Sequence, residues 1–349
     1  MMPQSLCPPV VNNALAAIGN TPLVYLNKVR PATGSLALKL ESRNPGGSIK
    51  DRVGLFLVED AEAKGKIHPS RSLLIEPTSG NSGIALAMVC AIKGYKLTIV
   101  MPESCSLERR VVVRSFGANL VLTPAHLGMA GACQKAEELV NTLEGGYLLD
   151  QFGNPANVEI HYKQTAPELW QQTQGNIDVL VAAVGTGGTL TGVAKFLKER
   201  NPNIKVVAVE PAESAVLSGC AGGVHGIQGI GTGFIPSILE TSLIDEVIAI
   251  PTDEAMATSR RLALEEGLFS GISSGANVAA CLALAQRPEY ANKRFATFQC
   301  SVGERYLSSA LFAPVLAEVE QWPIEAPSTH LAPTPEALTN HDNHACCQW

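Results

Sequence analysis

Three stretches of this chain combine residue types able to handle an anion or a carbonyl. GTGGTLTG, at 185–192, follows the apolar run 179–184 and precedes a helical pattern. Bare backbone N–H groups and the positive end of a helix dipole would form an anion site there. A dinucleotide site is the rival, with Glu210 at the end of the next strand, but Leu190 stands where that fingerprint needs its third glycine. Tight strand–helix packing is a further reading of the same turn. TSGNSG, at 78–83, also joins a strand to a helix. Its hydroxyls and amide could bind a second anionic group such as a carboxylate, or Ser79 or Asn81 could cap the helix. In ESRNPGGSIKDR, at 41–52, Lys50 follows an Asn-Pro-Gly-Gly turn and precedes a helix expected to begin near Arg52. A helix start disfavours a lysine's charge, which lowers its pKa and frees the amine for Schiff-base chemistry. By residue type alone, a surface lysine paired with Asp51 or Glu41 is the plainer reading.

For these loops to meet, strands must end at them. Apolar runs fall at 36–40, 72–75, 96–100, 119–122, 147–149, 179–184, 205–209, 246–250 and 295–298. Helical patterns lie between them at 84–92, 107–116, 129–143, 191–198, 253–266 and 276–285. Strands that are apolar on both sides and separated by helices predict mostly parallel sheets covered on both faces. Nine strands exceed what one compact sheet usually needs, so the fold class is α/β with two α/β domains. Turn-rich Phe152-Gly153-Asn154-Pro155 marks the break, and a ligand would lie in the cleft between the domains. From Trp322 onward Pro, Thr, Asn and His replace the pattern, which predicts a poorly ordered tail.

Composition narrows the partners. A net charge of −6 without any basic stretch argues against nucleic acid. No apolar run reaches membrane-spanning length, and MMPQSLCPPVV does not read as a signal peptide, so a soluble protein is expected. Nine cysteines lack the paired spacing of a metal site, and several lie in apolar runs (Cys90, Cys281), which suits reduced thiols in the cytoplasm.

Taken together, ESRNPGGSIKDR, EPTSGNSG, GTGGTLTG and GLFSGISSGAN resemble, in order and spacing, the cysteine synthase (O-acetylserine sulfhydrylase) family. That family lies within the tryptophan synthase β-like pyridoxal-phosphate enzymes. The resemblance runs from Ile18-Gly19-Asn20-Thr21-Pro22 to Gly303-Glu304-Arg305-Tyr306. It implies pyridoxal-phosphate fold type II, with the cofactor pyridoxal 5'-phosphate in the interdomain cleft. It further implies a larger cofactor-phosphate-binding domain (13–43 and 157–322) and a smaller mobile domain with the substrate loop (44–156), flanked by an extension (1–12) and a tail (323–349). Lys50 matches the Schiff-base lysine. Gly185, Thr186, Gly187, Gly188 and Thr189 match the cofactor-phosphate loop, Asn81 the partner of the ring hydroxyl, and Ser273 the serine facing the pyridine nitrogen. Thr78, Ser79, Gly80, Ser82 and Gln151 match the groups around the substrate α-carboxylate.

The implied reaction replaces the acetate of O-acetyl-L-serine with sulfide to give L-cysteine. A neutral serine beside the pyridine nitrogen makes the ring a weaker electron sink than a carboxylate would, which favours loss of the β-substituent over transamination. Lys50, once displaced by substrate, is the natural base for the Cα proton, and closure of the Asn81 loop would exclude water. A homodimer and a serine acetyltransferase C-terminal peptide are the partners implied. Ser82 stands where threonine is usual, Ala130 where lysine is common, Thr232 where alanine is common, and Cys300-Ser301-Val302 where Pro-Ser-Phe is frequent. These departures leave open a β-cyanoalanine, cystathionine or S-sulfocysteine synthase, an enzyme of a specialised pathway, or a non-catalytic regulator that binds the acetyltransferase. His161 and His225 read as hydrogen-bonded structural residues. HDNHACC, at 341–347, fits common zinc spacings poorly, and Cys7 lacks the neighbouring histidine of a haem segment, so no metal is expected.

Overall fold

The apolar runs form strands, and in the central ones successive side chains are buried on opposite faces of the sheet. The computed structural model describes residues 10–78 and 80–324. Ser79, Cys7 and HDNHACC therefore lie outside the described residues. Ten strands form two sheets. The larger sheet contains β1 (Leu23–Tyr25), β2 (Ser35–Leu40), β7 (Val179–Ala183), β8 (Lys205–Pro211), β9 (Glu246–Ile250) and β10 (Arg294–Gln299), in the order β1-β2-β10-β7-β8-β9. The smaller contains β3 (Leu73–Pro77), β4 (Lys96–Pro102), β5 (Asn119–Thr123) and β6 (Gly146–Leu148), in the order β5-β4-β3-β6. Every pairing is parallel except β1 with β2. Nine strands match the expected runs. β1 is the addition: three half-buried or exposed residues on a sheet edge carry too little periodicity to read.

Helices cover both faces, as a parallel sheet requires. Val179 and Val181 pack with α8 (Thr252–Glu266) and α9 (Ile272–Ala285), whereas Leu180 and Ala182 pack with α6 (Ala166–Gln172) and α7 (Gly188–Arg200). In the smaller sheet, Leu74, Leu97 and Ile99 pack against α1 (Lys50–Ala63) and α2 (Asn81–Lys93), and Ile75 and Val100 face α4 (Gly128–Thr142). The remaining helices of the compact unit that ends at Ala313 are α3 (Leu107–Ser115) and α5 (Ala156–Ile160), the latter joined to α6 through a π-helical turn, His161–Thr165. A second unit starts at Pro314 and holds most of α10 (Ala313–Glu320).

The topology decides what lies together. Although last in sequence, β10 sits between β2 and β7 with Gln299 opposite Leu40 and Ala296 opposite Leu180. The carboxyl ends of these three strands therefore release Glu41, Cys300 and Val184 side by side, at the edge where open parallel sheets bind ligands. Beside them, a buried ionic cluster fastens α1 to the larger sheet. Arg52 bonds Glu41 through Nε at 2.8 Å and Glu168 through Nη1 and Nη2 at 2.7 Å, and Lys39 reaches Glu168 at 2.8 Å.

Candidate active site

Around these strand ends lies a cavity of about 740 Å³. Of the residues singled out from sequence, Lys50, Thr78, Gly80, Asn81, Ser82, Gln151, Gly185, Thr186, Thr189 and Ser273 line it. Among the described residues it is lined by no aspartate or glutamate.

Lys50 is the first residue of α1, two positions earlier than the pattern predicts, because the turn before it already places Ile49 in helical geometry. The Ile49 N–H donates to the Cys300 carbonyl at 3.0 Å, which pins the start of the helix to the end of β10. Burial lowers the Lys50 pKa, and only the nearby Cys300 opposes it. The surface-lysine reading fails because both proposed carboxylates are engaged elsewhere. Asp51 turns back to accept from the Gly46 N–H at 2.6 Å, and Glu41 accepts from Arg52, Thr21 and Asn44. What remains is a half-buried amine on the cavity wall at a helix N-terminus, with a lowered pKa that makes its nucleophilic form easier to reach.

At 185–189 the chain builds a cradle for an anion. Gly187 adopts φ 86°, open to glycine at little cost, and α7 begins at Gly188 rather than three residues later. Its first N–H groups have no partner one turn back. The Thr186 hydroxyl accepts from the Asn157 amide at 3.0 Å, which leaves its own proton free to donate. Thr189 hydrogen-bonds His161 Nε2 at 3.1 Å, while His161 Nδ1 bonds Thr165 at 2.9 Å. Burial, then the charges of Lys50 and Arg52, hold His161 well below its ordinary pKa, so it is a neutral brace. His225 also bonds structurally, to the Gly231 carbonyl at 2.8 Å.

The loop after β3 is built around a second set of donors. Gly80, at φ 155°, is the residue before α2, and a Cβ there would come within 2.5 Å of the Arg109 side chain. Its N–H donates to Thr78 Oγ1 at 3.1 Å, again leaving a hydroxyl proton free. Asn81 is the first helical residue and makes no capping bond, so the capping alternative does not hold for it. Ser82 donates to Gln151 Oε1 at 2.5 Å, and Gln151 Nε2 donates to the Pro77 carbonyl at 2.9 Å. The fully buried Glu76 accepts from the backbone N–H groups of Asp150 and Gln151 at 2.9 and 3.0 Å and so holds Gln151 in place.

Ser273, in the first turn of α9, also lines the cavity and lies within hydrogen-bonding reach of Cys300. Burial pushes the Cys300 thiol up, against the pull of Lys50, so this wall is uncharged. Asn277 ties the wall together, accepting from the Ala183 N–H at 2.8 Å and donating to the Phe298 carbonyl at 3.0 Å. Sequence reasoning missed Asn157, Glu76 and Asn277 as supports, because an isolated polar residue within a helix or strand carries no local signal. The adjacency of Cys300 to Lys50 was equally hidden, since it depends on where β10 inserts.

The pyridoxal-phosphate dependent enzyme family matches residues 14–300 of the chain. Cysteine synthase A of Escherichia coli (strain K12) is 52% identical over 312 residues, covering 87% of this chain and 96% of that protein. The chain belongs to this family, within its cysteine synthase branch. O-ureido-L-serine synthase superposes with a TM-score of 0.84 at 44% identity, covering 88% of this chain and 96% of that one. O-Acetyl serine sulfhydrylase isoform 3 from Entamoeba histolytica gives a TM-score of 0.82 at 42% identity, with coverages of 88% and 94%. The residues present suit the family's cofactor. A free threonine proton and helix N-terminal N–H groups at 186–189 match a phosphate, and an amine of lowered pKa on the cavity wall matches an aldehyde.

Proposed function

We propose that this chain is a cysteine synthase that replaces the acetate of O-acetyl-L-serine with sulfide, giving L-cysteine and acetate. The observation that carries this reading is the Lys50 amine, its pKa lowered by burial, on the wall of a cavity that no carboxylate lines among the described residues and that an anion cradle also lines. Gly185, Thr186, Gly187, Gly188 and Thr189 would hold the cofactor phosphate, Asn81 its ring hydroxyl, and Ser273 its pyridine nitrogen. When bound, pyridoxal phosphate supplies the electron sink that acidifies the substrate Cα–H. Lys50 would be the base for the Cα proton and the amine that frees the product. Thr78, Ser79, Gly80, Ser82 and Gln151 bind and orient the α-carboxylate, and so hold the Cβ–O bond in position to break.

Ser273 is neutral and its neighbour Cys300 is kept protonated by burial, so neither holds a proton on the pyridine nitrogen as a carboxylate would. That supports elimination over transamination. In this reading residues 44–156 move as the smaller domain and close the Asn81 loop over the substrate. Free thiols at Cys90, Cys281 and Cys300 suit the reducing cytoplasm, and among the described residues no helix is long and apolar enough to cross a membrane. The resemblance supports a homodimer and a serine acetyltransferase C-terminal peptide as partners.

The test is spectral and chemical. The purified protein should show a visible cofactor band to which O-acetylserine, and not serine or O-phosphoserine, adds the band of a substrate that has lost its β-substituent, and should form cysteine faster with sulfide than analogous products with cyanide, thiosulfate or homocysteine. Lys50→Ala should abolish turnover; synthase activity retained in this variant would sink the assignment. No spectral change with any amino acid, combined with tight binding of the acetyltransferase peptide, would identify a regulator instead.

A further inference from the structure

Asn81, assigned to the cofactor's ring hydroxyl, is held by a side chain that lies behind the cavity wall. Asp51 follows Lys50 directly in the chain, and Arg305 Nη1 donates to Asn81 Oδ1 at 2.7 Å. Neither Asp51 nor Arg305 lines the cavity. They pack on either side of the Gly46-Gly47 turn. A Cβ on Gly46 would come within 2.6 Å of the Asp51 carboxylate, and one on Gly47 within 2.9 Å of Arg305 Nη2. The pair of glycines is thus required for both charged groups to reach their places. Arg305 is 8% exposed, and its carbonyl accepts from the Ser106 hydroxyl at 3.1 Å.

We propose that Arg305 is a positioning residue that fixes the Asn81 side chain so that its NH₂ group, and not its oxygen, faces the cofactor. A guanidinium carries only donors, so it can hold only the oxygen end of an amide. With Oδ1 committed to Arg305, the cavity side of Asn81 offers N–H alone. An N–H donor stabilises the ionised form of a ring oxygen, whereas an amide oxygen in its place would repel it. The proposal rests on the reading of Lys50 and Asn81 given above.

The test uses the cofactor-loaded protein. Borohydride trapping followed by peptide mass analysis should find pyridoxal phosphate on Lys50 in the unsubstituted chain and in Arg305→Met. Arg305→Met should lose part of its visible absorbance to the near-ultraviolet, because the ring oxygen is less readily ionised. Its kcat should fall roughly tenfold or more, with KM for O-acetylserine changed less than about threefold. Added to Asn81→Ala, which should show the same spectral change, Arg305→Met should have no further effect on spectrum or kcat. If Arg305→Met fails to fold, as judged by circular dichroism melting, Asn81→Asp carries the test, since it still accepts from Arg305 but offers the cavity no N–H and should show the same loss of visible absorbance. A spectrum and kcat equal to those of the unsubstituted protein in the folded variant, or losses that add in full to those of Asn81→Ala, would overturn the positioning role alone. Absence of a trapped adduct on Lys50 in the unsubstituted chain would remove the functional reading and this proposal with it.

Discussion

Burial disfavours charge whatever its sign, and in this site it lowers the Lys50 pKa while pushing Glu76 up to about 8. For Glu76 the consequence can be signed. Its ordinary value is 4.5, so between 4.5 and about 8 the folded chain holds a proton that the unfolded chain has released. Stability contributed by this group therefore declines as pH rises through that window. Glu76→Gln should remove the slope; denaturant unfolding measured at intervals from pH 5 to about 8.5 would count against this if both proteins change alike. The same substitution replaces one of the oxygens that accept from Asp150 and Gln151. Gln151 was legible from the sequence as a site residue through family resemblance, but the carboxylate beneath it was not, because nothing in Leu-Ile-Glu-Pro marks the glutamate as buried.

At the scale of elements, α7 shows how a functional loop can be part of the helix it precedes. The sequence pattern predicts a helix from Thr191, because Gly188 and Thr189 are poor helix formers. The helix nevertheless starts at Gly188, where absence of a side chain lets it press against α5. A Cβ on Gly188 would collide with the Asn157 amide and stand 2.9 Å from its backbone oxygen. Asn157 in turn holds the Thr186 hydroxyl at 3.0 Å. Gly188→Ala should therefore cost about 1–3 kcal/mol of stability and weaken cofactor retention roughly tenfold, a loss of one good hydrogen bond. Gly65→Ala is the control, since its Cβ would meet nothing within 4 Å and only its φ of +65° is strained. It should cost about 1–2 kcal/mol and leave retention, measured by dialysis and absorbance, unchanged. Equal retention in both variants would show that the cradle does not depend on Asn157.

Across the whole molecule, the cluster of Lys39, Glu41, Arg52 and Glu168 joins β2, the turn after it, α1 and α6. It anchors α1 to the larger sheet within two residues of Lys50, although most of α1 packs on the smaller one. Arg52→Met would strand Glu41 and leave Glu168 with Lys39 alone, at a cost of about 3–5 kcal/mol, read as a lowered midpoint in urea. Arg52 and Lys39 hold Glu168 down to about 2 despite its burial. Its contribution is fully present above 4.5, its ordinary value, and is lost as pH falls toward 2; a midpoint unaffected by Arg52→Met would mean that the cluster carries no net stability. Sequence alone determined every described strand but β1, the order of the loops and the types of group at 50, 81, 185–189 and 273, because apolar periodicity and glycine-rich turns are local properties. Lys50 by itself read as a surface lysine, and only its company in the motifs argued otherwise. Tertiary structure alone decided that β10 enters between β2 and β7, that Arg52 and not Lys50 takes the carboxylate of Glu41, and that Arg305 reaches Asn81 across 224 residues of chain. Those outcomes depend on pairings between distant segments, and the energy of burying a charge exists only once the chain has closed around it.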